Sequence, residues 1–257
     1  MQAETLPEIA AALEDSMKNP IIALISMIFL ALTGGLAPQA ALAAALQASP
    51  VLVELRADSP SATIQIRNTG QAPIAVQTRV YRWTQENGEE SLDETDDLSA
   101  SPPMTTLQPG TTYSVRLVRV NRQPVAQEQA YRVLVDELPD PNRQQSGTIA
   151  MVVRHSIPVF LLGPEGKPAQ LTWSVGTRNG RLVLRATNSG DRRVRLSNVS
   201  VRLPGGQNVS FGNGLLGYAL AGSTMEWLSP GRASGSGGTV TATTERGTVT
   251  GQATGLR

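Results

Sequence analysis

The chain of 257 residues contains no cysteine. That excludes disulfides, thiol catalysis and Cys-ligated zinc. It has a single histidine, His155, so no site can draw on two imidazoles. Aromatic residues are scarce, with four Tyr, three Trp and three Phe, a poor supply for a carbohydrate-binding platform. The formal charge of +1 gives no electrostatic case for nucleic acid. No G-x-S-x-G elbow, H-E-x-x-H pair or P-loop occurs. The glycine-rich "GSGG" (Gly235–Gly238) precedes a strand-like "TVTAT" and not a helix, so it reads as a loose hairpin instead of a phosphate cradle. His155 sits within an alternating strand, where a core or cleft-lining histidine is the expectation over a catalytic one. No enzyme, cofactor or metal is expected.

Long apolar runs are confined to one place. "MKNPIIALISMIFLAL" begins at Met17 with one Lys, and Ile21–Leu32 is a largely apolar stretch of twelve residues. Small residues follow, and "ALA" at Ala41–Ala43 fits a signal-peptidase site. The stretch is short for a membrane span, which needs about 20 apolar residues, so stable membrane insertion is not expected. A cleavable signal over residues 1–43 and export to the periplasm are. Residues 1–16 carry Glu4, Glu8, Glu14 and Asp15, which suit no signal n-region and fit a start codon placed too early. The mature chain then begins near Ala44, with about 214 residues, enough for one large or two small domains.

What the mature chain does have is alternation. "VLVELR" (51–56), "TIQIRN" (63–68), "IAVQTRVYRW" (74–83), "TYSVRLVRV" (112–120), "YRVLVDEL" (131–138) and "TIAMVVRHSIPVFL" (148–161) alternate with period two between Gly, Pro, Asn and Asp. Such strands at spacings near ten residues predict an antiparallel sandwich of the immunoglobulin type. The acidic "ENGEESLDETDD" (Glu86–Asp97) reads as a solvated hairpin tip. "GPEGKPAQ" (Gly163–Gln170) reads as a linker, after which the alternation resumes. "IRNTGQ" around Asn68 returns as "ATNSGD" around Asn188, 120 positions later, and "LQPG" (Leu107–Gly110) returns as "LSPG" (Leu228–Gly231), 121 positions later. Any one such turn is common. Two that keep one offset predict an all-β chain of two tandem immunoglobulin-like sandwiches, residues 44–162 and 163–257.

"SGTIAMVVRHSIPVF" (Ser146–Phe160) is unusual because both faces of its strand carry apolar residues. Ile149, Met151 and Val153 share one face; Ala150, Val152 and Arg154 share the other. An edge strand normally has a solvated face or a blunting charge. Either this strand is buried on both faces within its own domain, or its edge lends apolar side chains to another polypeptide.

"LQPGTTYSVRL" (107–117), "EQAYRVLVDELP" (128–139) and "RHSIPVF" (154–160), in that order and spacing, resemble the periplasmic chaperones of the chaperone–usher pilus pathway, and especially its archaic branch. The resemblance implies a chaperone that holds pilus subunits by donating a strand, here about 146–153, and passes them to an outer-membrane usher. It also implies a cationic anchor for the subunit's terminal carboxylate. In the best-known members a Lys follows the Ile of this strand and acts with an Arg of the first strand. Here Pro158 follows Ile157 and "ASPVLVEL" has no Arg. Pro158 lacks an N–H, so pairing of this strand is expected to break there. Replacement anchors are Arg132, which alternation places opposite the apolar face of Tyr131, Val133 and Val135, and Arg154. Either could equally be a solvated strand arginine. A secreted structural or adhesive protein of tandem sandwiches is the alternative function.

Overall fold

The computed structural model describes residues 46–56, 58–139, 152–163 and 166–256. Every regular element among them is a β-strand. The expected export segment, and Ile149 and Met151 of the expected donated strand, lie outside the described residues.

The first ten strands are β1 (Leu46–Ser49), β2 (Val53–Leu55), β3 (Ser61–Asn68), β4 (Ile74–Glu86), β5 (Glu89–Glu94), β6 (Leu98–Ser101), β7 (Met104–Leu107), β8 (Thr112–Arg119), β9 (Gln129–Leu138) and β10 (Arg154–Leu161). They form one sheet in the order β1-β3-β8-β6 and a second in the order β2-β10-β9-β4-β5, with β7 also on β4. Alternation decides what each strand buries. On β3, Ile64 and Ile66 are sealed between the sheets while Gln65 and Arg67 face water; on β9, Tyr131, Val133 and Val135 point inward. Burying each such aliphatic contributes about 1.5–3 kcal/mol. Together with Val115, Leu117 and Val159 they make the first core.

The second group is β11 (Leu171–Arg178), β12 (Arg181–Asn188), β13 (Val194–Arg202), β14 (Asn208–Ser210), β15 (Leu215–Ala219), β16 (Thr224–Leu228), β17 (Gly238–Thr244) and β18 (Gly247–Gly255). These pair in one continuous ladder, β14-β13-β17-β18-β11-β12-β16, with β15 on β13. They enclose a separate core of Trp173, Val175, Leu184, Leu196 and Val201 among others. The chain is two tandem immunoglobulin-like sandwiches, as alternation predicts. Both lie within one compact unit, Ala44–Arg257.

Asn68 and Asn188 build the same corner twice. Each is wholly buried. The Asn68 amide donates to the carbonyls of Ala72 (2.7 Å) and Leu107 (3.0 Å), and its Oδ1 accepts from the Gly70 N–H. Asn188 donates to Arg192 (2.7 Å), Ala219 (3.1 Å) and Leu220 (3.0 Å), and accepts from the N–H groups of Gly190 and Gln170. The second half of the repeat argument fails. The Asn68 corner bonds the backbone of Gly110 and Thr111, whereas the Asn188 corner bonds Gly222 and Ser223. The counterpart of the Pro109 turn is therefore Ala221–Gly222, and "LSPG" begins at the last residue of β16 and leads out of it, where the Ser229 hydroxyl accepts from the Leu182 N–H. Gly235–Gly238 is not a hairpin either, since the strands on its two sides, β16 and β17, do not pair. Gly238 is needed there because a Cβ would lie 2.4 Å from the Arg202 carbonyl oxygen, at a φ of +122°.

Removing either corner amide strands buried carbonyls, and an unpaired buried polar group costs about 1–3 kcal/mol. Asn68→Ala and Asn188→Ala are each expected to destabilise the chain by about 2–4 kcal/mol, with urea unfolding midpoints as the measure. A loss below about 1 kcal/mol at either position would show that corner to be dispensable.

Candidate functional site

Strand β10 pairs with β9 without a break from Arg154↔Asp136 to Leu161↔Gln129, Pro158↔Arg132 included. The interruption expected at Pro158 does not occur, and the hydrogen-bond parity explains why. The Glu137 N–H donates to the Val153 carbonyl (2.9 Å), so odd-numbered residues of this strand bond toward β9. On the far side the Leu162 N–H donates to the Leu55 carbonyl (2.8 Å), so even-numbered residues bond away from β9. Pro158 is even, and its missing N–H falls on the outer edge, where β9 never needed it.

That outer edge has a partner over only part of its length. β2 runs parallel to β10 and pairs with it at Val159, Phe160 and Leu161. Among the described residues nothing pairs along the outer edge of Val152, Arg154 and Ser156. All three are exposed, Val152 at 50%. Val153, of the expected donated face, packs its half-buried side chain against the first core, and its N–H donates to the Glu137 carboxylate. His155 directs Nε2 at the Leu46 carbonyl (2.8 Å), tying β10 to β1.

The face of this sheet turned away from the first core carries a basic strip. Asp136, 6% exposed, is gripped by Arg79 (2.7 Å) and by Arg154. Burial pushes its carboxyl up, but hydrogen bonds from Arg154 and Arg79 outweigh this and hold it below the usual carboxylate range. Arg154 is therefore already paired. Arg132, from the facing position on β9, lays its guanidinium on the Trp83 ring, 3.7 Å from the centroid. Burial lowers its pKa, offset by the nearby charge of Glu90. Among the described residues Arg132 has no carboxylate at ion-pair distance.

Next to Arg132 the two sandwiches meet. Trp83, Phe160 and Tyr218 pack with centroids 5.6–6.0 Å apart, joined by Ala130 and Leu220. The Gln85 side chain spans the junction: its amide donates to the Tyr218 carbonyl (2.8 Å) and its Oε1 accepts from the Leu220 N–H (2.9 Å). Arg193 stacks on Phe160 (3.6 Å to the centroid) and donates to Glu128 (2.7 Å) and Glu54. Burial pushes the Glu128 carboxyl up against the pull of Arg193. The tip of the β4–β5 hairpin, Asn87–Gly88, accepts the Glu226 N–H at the Gly88 carbonyl (3.0 Å). A Cβ on Gly88 would lie 2.6 Å from the Glu226 Cγ. Sequence reasoning missed Trp83, Gln85, Glu128 and Arg193, since no local pattern marks residues that meet across 49 to 135 positions.

The acidic run is only partly a tip. Glu89–Glu94 is an exposed edge strand, and Asp97 folds under it to accept from Asn121 (2.8 Å), Tyr131 and Arg82. Burial pushes the Tyr131 phenol up to about 12.

The model of the family "Pili and flagellar-assembly chaperone, PapD N-terminal domain" matches residues 45–167. That span is just under half of the chain. A fimbrial chaperone of Escherichia coli K12, YcbF, described as uncharacterized, is 30% identical over 154 residues, 56% of this chain. The matched region spans 63% of that relative, under two thirds of its length. Among solved structures, a chain of the CsuC–CsuE chaperone–tip adhesion subunit pre-assembly complex from the archaic Csu pili of Acinetobacter baumannii is 24% identical. The match has a TM-score of 0.65 and covers 83% of this chain and 100% of that one. A chain of the Salmonella enterica SafA pilin–SafB chaperone complex is 18% identical with a TM-score of 0.58, covering 83% and 98%. These two likenesses show the shared fold. They cover both sandwiches, where the family model stops near the first.

Because Asp136 ionises more readily folded than unfolded, the stability it lends is complete above the ordinary Asp pKa near 3.9 and is lost as pH falls through its lower folded value. Asp136→Asn is expected to be less stable than the parent chain at pH 7, with the gap closing below about pH 4. Unfolding midpoints between pH 7 and pH 3 measure this; a constant gap would mean that the charge of Asp136 plays no part.

Proposed function

We propose that this chain is a periplasmic pilus-assembly chaperone that holds a subunit lacking its final strand and hands it to an outer-membrane usher. The observation that carries the reading is the half-open edge of β10: among the described residues nothing pairs with the backbone groups of Val152, Arg154 and Ser156, which lie beside an exposed apolar side chain. The match of residues 45–167 to the chaperone family's model supports it, as does a fold shared with chains of two chaperone–subunit complexes. The branch we assign is the archaic one, on the three sequence motifs. We divide the mature chain at the linker beginning with Gly163, into residues 44–162 and 163–257.

A subunit without its last strand exposes an apolar groove and a row of unpaired amides, both prone to aggregation. Strand 146–153 fills the groove with Ile149, Met151 and Val153 and satisfies the amides from its backbone. Nothing in this exchange consumes a nucleotide, and a later swap for another subunit's strand supplies the driving force. Arg132 anchors the subunit's terminal carboxylate. It is half-buried, fixed on Trp83 and free of a carboxylate partner among the described residues, so its planar fork can bind two oxygens. Arg154, committed to Asp136, adds to the field and not to the contact.

Met151→Asp is expected to leave the chaperone folded by circular dichroism and to abolish recovery of a co-expressed pilus subunit, since a charge would enter the apolar groove. Val153→Asp is the poorer probe, because Val153 packs against its own core. Undiminished subunit recovery by a folded Met151→Asp would remove strand donation. For the anchor, Arg132→Ala should cost roughly 2–5 kcal/mol of complex stability if the pair is desolvated. Arg154→Ala should cost less, and the exposed control Arg122→Ala nothing measurable. Pull-down with all three decides it: equal recovery would eliminate Arg132 as anchor while leaving strand donation standing.

A further inference from the structure

We propose that Pro158 is a register stop: it ends the hydrogen-bonded ladder of the guest strand at Ser156 and so sets which residue of the guest lies opposite each residue of β10. The inference rests on the chaperone reading above, and its occupant is a strand of a pilus subunit.

The outer edge of β10 is one lane with two sections. β2 fills the section from Val159 to Leu161. Val152, Arg154 and Ser156 form the section left open among the described residues, each offering an N–H and a C=O outward by the parity that Val153 and Leu162 establish. Pro158 stands between the sections and belongs to neither as a donor. A strand added at Val152 can bond rung by rung up to Ser156, and at the next outward position it finds no N–H.

A backbone ladder by itself does not choose a register, because every rung is chemically alike. Slips of two residues preserve both the bonding parity and the face on which side chains lie, whereas a slip of one turns them all over. The apolar groove forbids the one-residue slip. The two-residue slip needs a stop, and a missing donor supplies one: a guest displaced two residues past Ser156 would leave a carbonyl facing a pyrrolidine ring. Pro158 is buried, with Arg132 directly opposite on β9, so the stop and the cation lie in the same row of the sheet. The guest's last rung and its charge are positioned together, from two different strands.

The absence of cysteine makes the test clean. In a Ser156→Cys background, the only thiol of the chaperone marks the last rung. A co-expressed pilus subunit carrying single cysteines along its unpaired strand is then trapped as a mixed disulfide in the purified complex. With Pro158 present, one subunit position should trap. With Pro158→Ala, or Pro158→Val to retain volume, trapping should spread to or move to a position two residues away, while the melting temperature of the free chaperone confirms folding. The same single position in a folded Pro158→Ala and a folded Pro158→Val would overturn the register stop and leave the chaperone reading intact. Failure of the Pro158-containing chaperone to capture any subunit would overturn both.

Discussion

A β-strand offers hydrogen bonds along two edges, and among the described residues β10 has a full partner along only one. β9 accompanies it from Arg154 to Leu161, while β2 accompanies its other side for three residues. Backbone groups left facing water cost little, but they are a template for any strand that arrives with unpaired groups of its own. The remainder of the molecule makes sense around that asymmetry. The first core holds β10 in place through Ile157, Val159 and Leu161, and His155 pins it to the opposite sheet. The open section is thus tethered at its inner end and by His155, and a pre-positioned strand loses less entropy on pairing than a free one.

The same sheet is also asymmetric across its faces. One face is the interior of a sandwich. The other is apolar at one end, where Trp83 and Phe160 meet Tyr218, and cationic further along, through Arg132, Arg79 and Arg154. The apolar end joins the two sandwiches, with Gln85 and the Glu128–Arg193 pair fixing their approach. Breaking such a buried pair from one side leaves a stranded charge, which is why these contacts hold geometry more than they add net stability. In the cationic strip beyond the junction, Asp136 lies between two of the arginines.

Much of the fold was legible in the sequence because it rests on local alternation. β3, β8 and β9 were visible since burial on one face and exposure on the other write themselves into every second residue. β5 was not, because "EESLDE" is exposed throughout and an edge strand with no buried face leaves no such signature. The Asn68–Asn188 repeat was a true structural duplication, while "LQPG" and "LSPG" were alike only as short strings, with unlike environments. At the site, alternation placed Arg132 on the correct face. It could not reveal that Trp83 would lie beneath it, or that Asp136 would claim Arg154, because these contacts depend on which strands become neighbours. The error over Pro158 has the same root: a missing N–H matters only on the side where it would have pointed, and that requires the register.

The acidic face of β5 completes the picture from the opposite margin of the sheet. Glu89, Glu90, Asp93 and Glu94 coat that edge, and all are exposed. Like charges brought into strand register repel. A sheet with two receptive margins could grow in both directions, each added strand offering a new margin to the next. On the chaperone reading, an open section of β10 at one margin and an acidic strand at the other would give the sheet a valence of one: it would cap a subunit's sheet without linking two.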